Sequence, residues 1–600
     1  MDESTVLSAL PEDRVGLGHL LSRVLPFLVL FAVAACLPLF SGDYWGLIAT
    51  RACAYWVLVS GLNLVVGFAG QIAIGWVALL TLGAYTTSVL VAGNVLPALS
   101  PYLALAIAAV AGAIFGLIIG LPALRLRTFY FAMTTLGFAT IITQVALAWQ
   151  SVTGGGIGIA GPTLTGIFAA HWGLFYFCLA AAILCTWMSA NIAHSRFGRG
   201  LVAIRDAEVA AEATGVSKSA LLVAVFLFSG ATAAVGGGLF AALQSYITPD
   251  AFTFDLSILF FIAILIGGRG SILGPLLGTI ILTVLPEFAA PLVAWSTFLY
   301  AALLLAIVLL APGGIAELLD FKNRRPLESN RAIVPRPALL THVLDQSRGS
   351  APIVLDGIVL SFGGVRAIDG LGLTIRSGEV HGLIGPNGSG KTTTLNVISG
   401  YYRPEAGAAG MGDYSLLAGA PESRAEHGIA RTFQTPRVVG EASVLDNVMI
   451  GGMVRGRGSF VESMLGLPRH LRDEASLRRH ALAALRAVGL EALANVRADR
   501  LQHSELRFVE IARALMVSPA FLLLDEPAAG LSTEEINRLG QLITEIAKRG
   551  VGVLLVEHHA DLIFDICDRV TVLNLGKELA SGTPAEIRAH KEVVSAYLGA

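Results

Sequence analysis

Charged side chains are scarce in this sequence: Asp, Glu, Lys and Arg make up 14% of 600 residues, against 55% hydrophobic. Ordinary soluble domains carry about a quarter charged residues, so a wholly soluble chain is excluded. The charge that is present leans neither way, with a formal net of −2. No basic face exists to track a polyanion, which argues against nucleic-acid binding. The five cysteines, Cys36, Cys53, Cys178, Cys185 and Cys567, have neither metal-ligand spacing nor the pairing of a disulfide framework. All five are expected to be small core or lipid-facing residues. The stretch 1–23 contains Glu12 and Asp13 and lacks a cleavage site behind a short apolar core; it is expected to be an N-terminal cytoplasmic segment and not a removable leader.

The charge is also unevenly placed. Of the 41 Lys and Arg and 43 Asp and Glu, 23 fall in residues 1–320 and 61 in residues 321–600. A chain this long exceeds one core, and the split predicts a multi-spanning α-helical membrane domain over 24–320 followed by a soluble domain. Apolar runs able to cross ~30 Å of hydrocarbon recur at 24–40, 45–66, 71–92, 101–121, 129–148, 170–190, 219–245, 254–267, 272–288 and 293–311. The run at 254–267 is short, and Gly267 to Gly270 after it reads either as a loop or as a re-entrant bend. Basic residues follow the even-numbered runs: Arg125 and Arg127, then Arg196, Arg199, Arg205 and Lys218, then Lys322, Arg324 and Arg325. Because such residues gather on the cytoplasmic side, this parity predicts about ten spans with both ends of the domain cytoplasmic.

Gly236 to Gly238 sit inside a run and point to close helix packing. Arg51, Gln71, Gln144, Gln244 and Asp255 are compatible with a polar path or with interhelical contacts alike. Residues 321–351 are rich in Pro and charge without apolar periodicity and read as a linker.

From 352 to 600 strands and helices alternate, as in an α/β domain. The segment Gly385, Pro386, Asn387, Gly388, Ser389, Gly390, Lys391, Thr392 fits G-x-x-x-x-G-K-[ST], between an apolar strand ending at Ile384 and a helix from Thr392, Thr393 onward. Glycines there let backbone N–H groups close around phosphate oxygens; Lys391 reaches the outer phosphates, and Thr392 offers a hydroxyl to Mg²⁺. These residues predict nucleoside triphosphate binding. Downstream, the apolar run Phe521 to Leu524 ends in Asp525 and Glu526: a buried strand that delivers one carboxylate to Mg²⁺ and a second able to orient or deprotonate water. Glu557 and His558 close the next strand, placing an imidazole where it can meet the γ-phosphate.

These elements, in this order, resemble the ATPase subunit of ATP-binding-cassette transporters, over 352–600. Asp525 to Leu531 and Ser581 to Pro584 are similar to its branched-chain amino acid branch. In the first half, Asn63 to Gly70, Leu121 to Arg127, Thr134 to Gly137 and Arg199 to Gly215 resemble permeases of branched-chain amino acid importers, the last being their ATPase-coupling loop. That likeness covers most of 45–315. The resemblance implies a fused permease and ATP-binding subunit, with a phosphate-loop ATPase domain that includes a helical subdomain. It implies ATP and Mg²⁺ as cofactors, with Phe362 stacked on adenine. Gln434 would link nucleotide, metal and coupling loop; Thr392, Gln434 and Asp525 would be metal-side groups; Glu526 and His558, the switch histidine, would be catalytic. Arg199, Arg205, Glu208, Glu212 and Gly215 would be coupling-loop residues. Expected partners are a second permease, a second ATPase subunit, an extracytoplasmic binding protein and a small amino-acid substrate, at a bacterial inner membrane with the ATPase cytoplasmic.

One departure stands out. Where the family reads Leu-Ser-x-Gly-Gln, a segment that meets the partner's nucleotide in trans, this chain has Leu501, Gln502, His503, Ser504, Glu505. Side chains there, with an added carboxylate, are expected to weaken that contact. The alternative reading this leaves open is an ATP-binding, poorly hydrolysing subunit that gates or regulates a transport complex.

Overall fold

The computed structural model describes residues 25–593 except 26–27, 41, 127, 171, 290–294, 296–297, 299–300, 303–304, 307–308, 312, 319–332 and 345–350. The expected segment 1–23, most of the run at 293–311, and Arg127, Lys322, Arg324 and Arg325 lie outside the described residues.

The first half is a helical bundle: α1 (Asp43–Asn63), α2 (Val77–Ala92), α3 (Pro101–Gly120), α4 (Thr128–Ala148), α5 (Gly173–Ala193), α6 (Arg196–Glu212), α7 (Lys218–Leu243), α8 (Phe254–Gly267) and α9 (Gly274–Ala289). Among the described residues six helical stretches are long and apolar enough to cross a membrane, and three shorter apolar helices occur at Leu28–Phe40, Val77–Ala92 and Gly274–Phe288. The long helix α7 is the hub, packed on α1, α2 and α3. Its Gly237 makes this possible, because a Cβ there would lie 2.0 Å from the Leu80 carbonyl oxygen of α2; small residues let helix backbones approach. Four cysteines are buried, and Cys36 is exposed on an apolar helix.

The run expected over 71–92 is not one helix. After α1 the chain makes a π-helical turn, Leu64–Phe68, then runs without helix to Val77. Gly70 sits at φ +69°, and a Cβ on Gly75 would lie 1.8 Å from the Thr135 carbonyl oxygen. Backbone groups freed by a break inside apolar surroundings must find partners, and here they do. Thr135 Oγ1 accepts from the N–H groups of Ile74 (3.3 Å) and Gly75 (3.2 Å). Ser257 Oγ donates to the Ile74 carbonyl and accepts from Val77 N–H (3.4 Å).

The second half holds two sheets. An antiparallel sheet is built from β1 (Ile353–Phe362), β2 (Val365–Ile375), β4 (Ala406–Met411) and β5 (Tyr414–Ser415), ordered β2-β1-β4-β5. The larger sheet contains β3 (Val380–Ile384), β6 (Ile429–Arg431), β7 (Phe521–Asp525), β8 (Gly552–Val556), β9 (Arg569–Asn574) and β10 (Lys577–Gly582), ordered β10-β9-β3-β8-β7-β6. All its pairings are parallel except β9 with β10. Strands β3, β7 and β8 are buried at every residue, as continuous apolar runs in a parallel sheet require. In register, Val556 lies opposite both Leu383 and Asp525. The loops after β3, β7 and β8 therefore leave the same carboxyl edge of the sheet, where ligands of open α/β sheets bind.

The longer helices of this half include α10 (Lys391–Ile398), α11 (Val444–Ile450), α12 (Pro468–Val488), α13 (His503–Leu515) and α14 (Thr533–Lys548); α11 to α13 form a helical layer. The stretch expected as a linker contains apolar residues that find a surface here. Ile333, Leu340, Val343 and Leu344 are buried in the core shared with α12 to α14. Arg336 N–H donates to Ala487 O (2.8 Å), Arg538 Nη1 to Ile333 O (2.5 Å) and Arg455 Nη2 to Val343 O (3.2 Å). Residues 333–344 thus strap α12 to α14.

Candidate nucleotide and coupling site

The loop Gly385–Gly390 joins β3 to α10. Gly390 takes φ +102°, and a Cβ there would lie 2.5 Å from the Ala367 carbonyl oxygen, so the final turn before Lys391 needs glycine. Lys391, the first residue of α10, is buried and donates from Nζ to Gly385 O (2.8 Å) and Pro386 O (3.0 Å). Burial lowers its pKa, and the charges of Glu526 and Asp525 oppose the shift. Pro386 is half-buried, Asn387, Gly388 and Thr392 are exposed, and Thr393 is half-buried. Ser389 Oγ is buried with no hydrogen-bond partner.

Asp525 ends β7, buried. Its Oδ2 accepts from Arg431 Nη2 (3.2 Å), and its Oδ1, equally buried, has no partner. Burial pushes its pKa up against the pull of Arg431. Unpaired buried acceptors are costly, and this one sits beside the phosphate loop, where a cation can satisfy it.

Glu526 stands at φ +47°, a conformation that costs a non-glycine residue on the order of 1 kcal/mol and that collects at functional sites. Its N–H donates to Val556 O (2.9 Å). The carboxylate is held from two sides: Gln434 Nε2 donates to Oε2 (2.8 Å), and His558 Nε2 lies 2.9 Å from Oε1. The turn behind it is fixed by Glu557, whose Oε1 accepts from Ala528 N–H (2.6 Å) and Oε2 from His558 N–H (2.9 Å). Arg507 of α13 donates to the carbonyls of Phe433 (2.7 Å) and Gln434. Sequence reasoning gave Arg431, Glu557 and Arg507 no role; the available signal was a charge at the end of, or within, a buried apolar element. Phe362 is exposed, its ring edge-on to Tyr402 at 5.1 Å.

Leu501 precedes α13, and Gln502 caps it. The Glu505 carboxylate accepts from Gln502 N–H (2.8 Å), placing negative charge at the positive end of the helix. Ser504 is buried, and His503 lies beside Gly530, with its Cδ2 3.1 Å from where a Cβ of Gly530 would be.

Helix α6 carries the basic residues between α5 and α7, and it lies on the cassette. Arg199 Nη2 pairs with Glu474 Oε2 (2.7 Å), and Glu474 Oε1 accepts from Arg196 N–H (2.7 Å). Arg205 Nη2 pairs with Glu441 Oε2 (3.0 Å). Tyr401 donates to Val209 O (2.6 Å), and Phe433 packs with Ala207, Ala210 and Ala213. Gly215 closes against Val454, whose Cγ2 would lie 2.3 Å from an added Cβ. Gln434 donates to Glu526, while its neighbour Phe433 packs on α6.

Glu208 pairs with Lys218 (2.6 Å). Glu212 faces Glu208 and Glu422; burial first, then these two charges, push its pKa up to about 7, with Lys218 opposing. A carboxyl raised in the docked state stabilises docking fully below its ordinary pKa and loses that contribution as pH rises through about 7. Thermal stability of the purified protein is therefore expected to fall more between roughly pH 4.5 and pH 7 in the native protein than in Glu212→Gln.

A phosphate loop, paired carboxylates and a histidine on one sheet edge, joined to an apolar helical bundle by a docked helix, define an ATP-binding-cassette transporter. Residues 45–311 match the permease component of branched-chain amino acid transport systems, 368–529 match ABC transporter cassettes, and 577–600 match the branched-chain amino acid ATP-binding cassette transporter family. The high-affinity branched-chain amino acid transport ATP-binding protein LivG of Salmonella typhimurium is 36% identical over 248 residues, 41% of this chain and 97% of that protein. BraF of Pseudomonas aeruginosa, bearing the same description, is 37% identical over 253 residues, 42% of this chain and 99% of that protein. The crystal structure of a nucleotide-free ATP-binding cassette from an ABC transporter aligns at 29% identity over 42% of this chain and 99% of that one, with a TM-score of 0.37. The chain belongs to the branched-chain amino acid ABC transporter family, and it joins a permease domain and an ATP-hydrolysing cassette in one membrane polypeptide.

Proposed function

We propose that this chain drives import of branched-chain or related small amino acids across a bacterial inner membrane, with its cassette in the cytoplasm. The observation that carries the reading is the seat of α6: a permease-domain helix lies against Phe433, and the next residue, Gln434, holds Glu526 at 2.8 Å. Movement at the nucleotide site thus has a short covalent and packed route to the membrane domain.

In this reading residues 385–393 cradle the phosphates, Lys391 neutralises their charge and Phe362 stacks on adenine. Mg²⁺, when bound, supplies charge stabilisation to the transferring phosphoryl group. Thr392, Gln434 and Asp525 are the residues to hold it, and the unpartnered Asp525 Oδ1 and Ser389 Oγ fit a site that takes a cation and an anion together. Glu526 orients water, while Gln434 and His558 fix its carboxylate. The 24–320, 321–351 and 352–600 divisions serve as permease, connector and cassette.

In this reading a second permease, a second cassette and an extracytoplasmic binding protein complete the importer, and the second cassette supplies the Leu-Ser-x-Gly-Gln segment that Leu501 to Glu505 lack. A second reading, a poorly hydrolysing regulatory subunit, draws on Glu505 at the start of α13; the assembled set Lys391, Asp525, Glu526 and His558 favours hydrolysis. The deciding experiment measures ATP hydrolysis of the purified complex with a binding protein loaded in turn with leucine, isoleucine, valine or a charged amino acid. Stimulation confined to aliphatic amino acids supports the reading, and stimulation by none of them contradicts it.

A further inference from the structure

We propose that Arg205 and Asn63 are positioning residues for transport, forming a latch through which cassette movement reaches the break between α1 and α2. The proposal rests on the ATP-driven reading above but not on the identity of the substrate.

The Arg205 guanidinium is used on three sides, with its side chain 10% exposed. Nε and Nη2 grip the Asp206 carboxylate of its own helix (2.7 and 2.9 Å). Nη2 also reaches Glu441 of the cassette (3.0 Å). Nη1 donates to Gly67 O (2.7 Å) in the π-helical turn that ends α1. Carbonyls at a helix end lack intrahelical donors, so this contact supplies one from a helix that the cassette itself holds.

Asn63, one turn earlier and buried, continues the network. Its Oδ1 accepts from Gly270 N–H (3.0 Å), and its Nδ2 donates to Ser271 O (2.9 Å), pinning the turn between α8 and α9. Gly67 is the space that allows this closeness: a Cβ there would lie 2.3 Å from both Asn63 Oδ1 and Gly270 N. A buried side-chain amide in a membrane helix is expensive unless satisfied, and among the described residues that turn supplies its partners.

The non-helical stretch begins directly after this knot and is fixed at its far end by Thr135 of α4 and Ser257 of α8. It is thus held at one end by the membrane bundle and at the other by a side chain tied to Glu441. A shift of α6 with the cassette moves Gly67 relative to Thr135 and bends what lies between. Lysine cannot replace Arg205, because a single ammonium on a flexible stem does not hold three acceptors in one plane.

The test uses the full complex in lipid vesicles, with cysteine placed at Ile72, a partly exposed residue within the break, in a Cys36→Ser background. Reaction with a water-soluble maleimide is timed with and without a non-hydrolysable ATP analogue. The analogue is expected to change the rate severalfold in the otherwise native chain and to have no effect with Arg205→Lys. Glu441→Gln, which leaves the membrane side of the knot intact, weakens the response. Asn63→Ala is expected to lower uptake about tenfold, the scale of a modest coupling energy, while hydrolysis stays within about twofold. A rate that ignores nucleotide in the native background, or that still responds in Arg205→Lys, overturns the proposal. So does an Asn63→Ala complex in which hydrolysis falls along with uptake. A nucleotide response in a complex that moves no aliphatic amino acid would discard the substrate reading and leave the latch standing.

Discussion

Glu526→Gln is expected to bind ATP as the native chain does and to turn it over at least ~10²-fold more slowly, the lower range for losing a general base. The side chain is poised for this role by its surroundings. A positive φ at Glu526 aims it off the strand end, and Gln434 and His558 each hold one carboxylate oxygen. Glutamine keeps the size and one acceptor but cannot take a proton from water. It also removes the charge that stands beside Lys391, so ATP affinity should not fall. Nucleotide binding by fluorescence and phosphate release in the same preparation separate the two effects. Near-native turnover would remove Glu526 from catalysis.

A comparably large effect is expected from Lys391→Ala, and it should be one-sided. In the proposed complex two cassettes pair head to tail, so the site built on Lys391 and Glu526 would borrow the Leu-Ser-x-Gly-Gln segment of a partner. The partner's phosphate loop would meet Leu501 to Glu505 of this chain in return. There the Glu505 carboxylate occupies the start of α13 through its bond to Gln502 N–H, lowering the positive field offered to a γ-phosphate. With an intact partner, the proposed complex would have one competent site. Lys391→Ala should therefore lower hydrolysis by at least ~10²-fold, on the scale of removing one charge-stabilising group, whereas the matching substitution in the partner should leave most of it. A purified homodimer that hydrolyses ATP robustly in step with transport would mean that Ser504 or Glu505 can replace the missing contacts.

The residues of the candidate nucleotide site stand out in the sequence because the chemistry they would carry is local. A phosphate loop needs glycines and Lys391 in fixed order, and a buried strand announces its carboxylate by ending in one. The loop Arg199 to Gly215 stood out because charge is rare in its half of the chain, and the structure lays it on the cassette. What was hidden depends on partners distant in sequence. Thr135 and Ser257 accommodate the break before Val77; neither is near it in the chain, so an apolar run at 71–92 read as one helix. Residues 333–344 looked like connector because four apolar residues among prolines show no period, yet each is buried against helices more than a hundred residues away. Arg507 and Glu557 likewise act on residues that only the fold brings near.

One polypeptide is proposed to hold both a membrane path and the engine that drives it, joined through α6. This is tested most directly in vesicles containing the purified complex, with ATP on the cassette side and a leucine-loaded binding protein on the other. Leucine taken up and ATP hydrolysed are measured together. Leucine is expected to accumulate only with ATP and to stop accumulating, as hydrolysis falls, in Glu526→Gln. Leucine movement that proceeds without ATP, or steady hydrolysis with no leucine crossing the membrane, would contradict it.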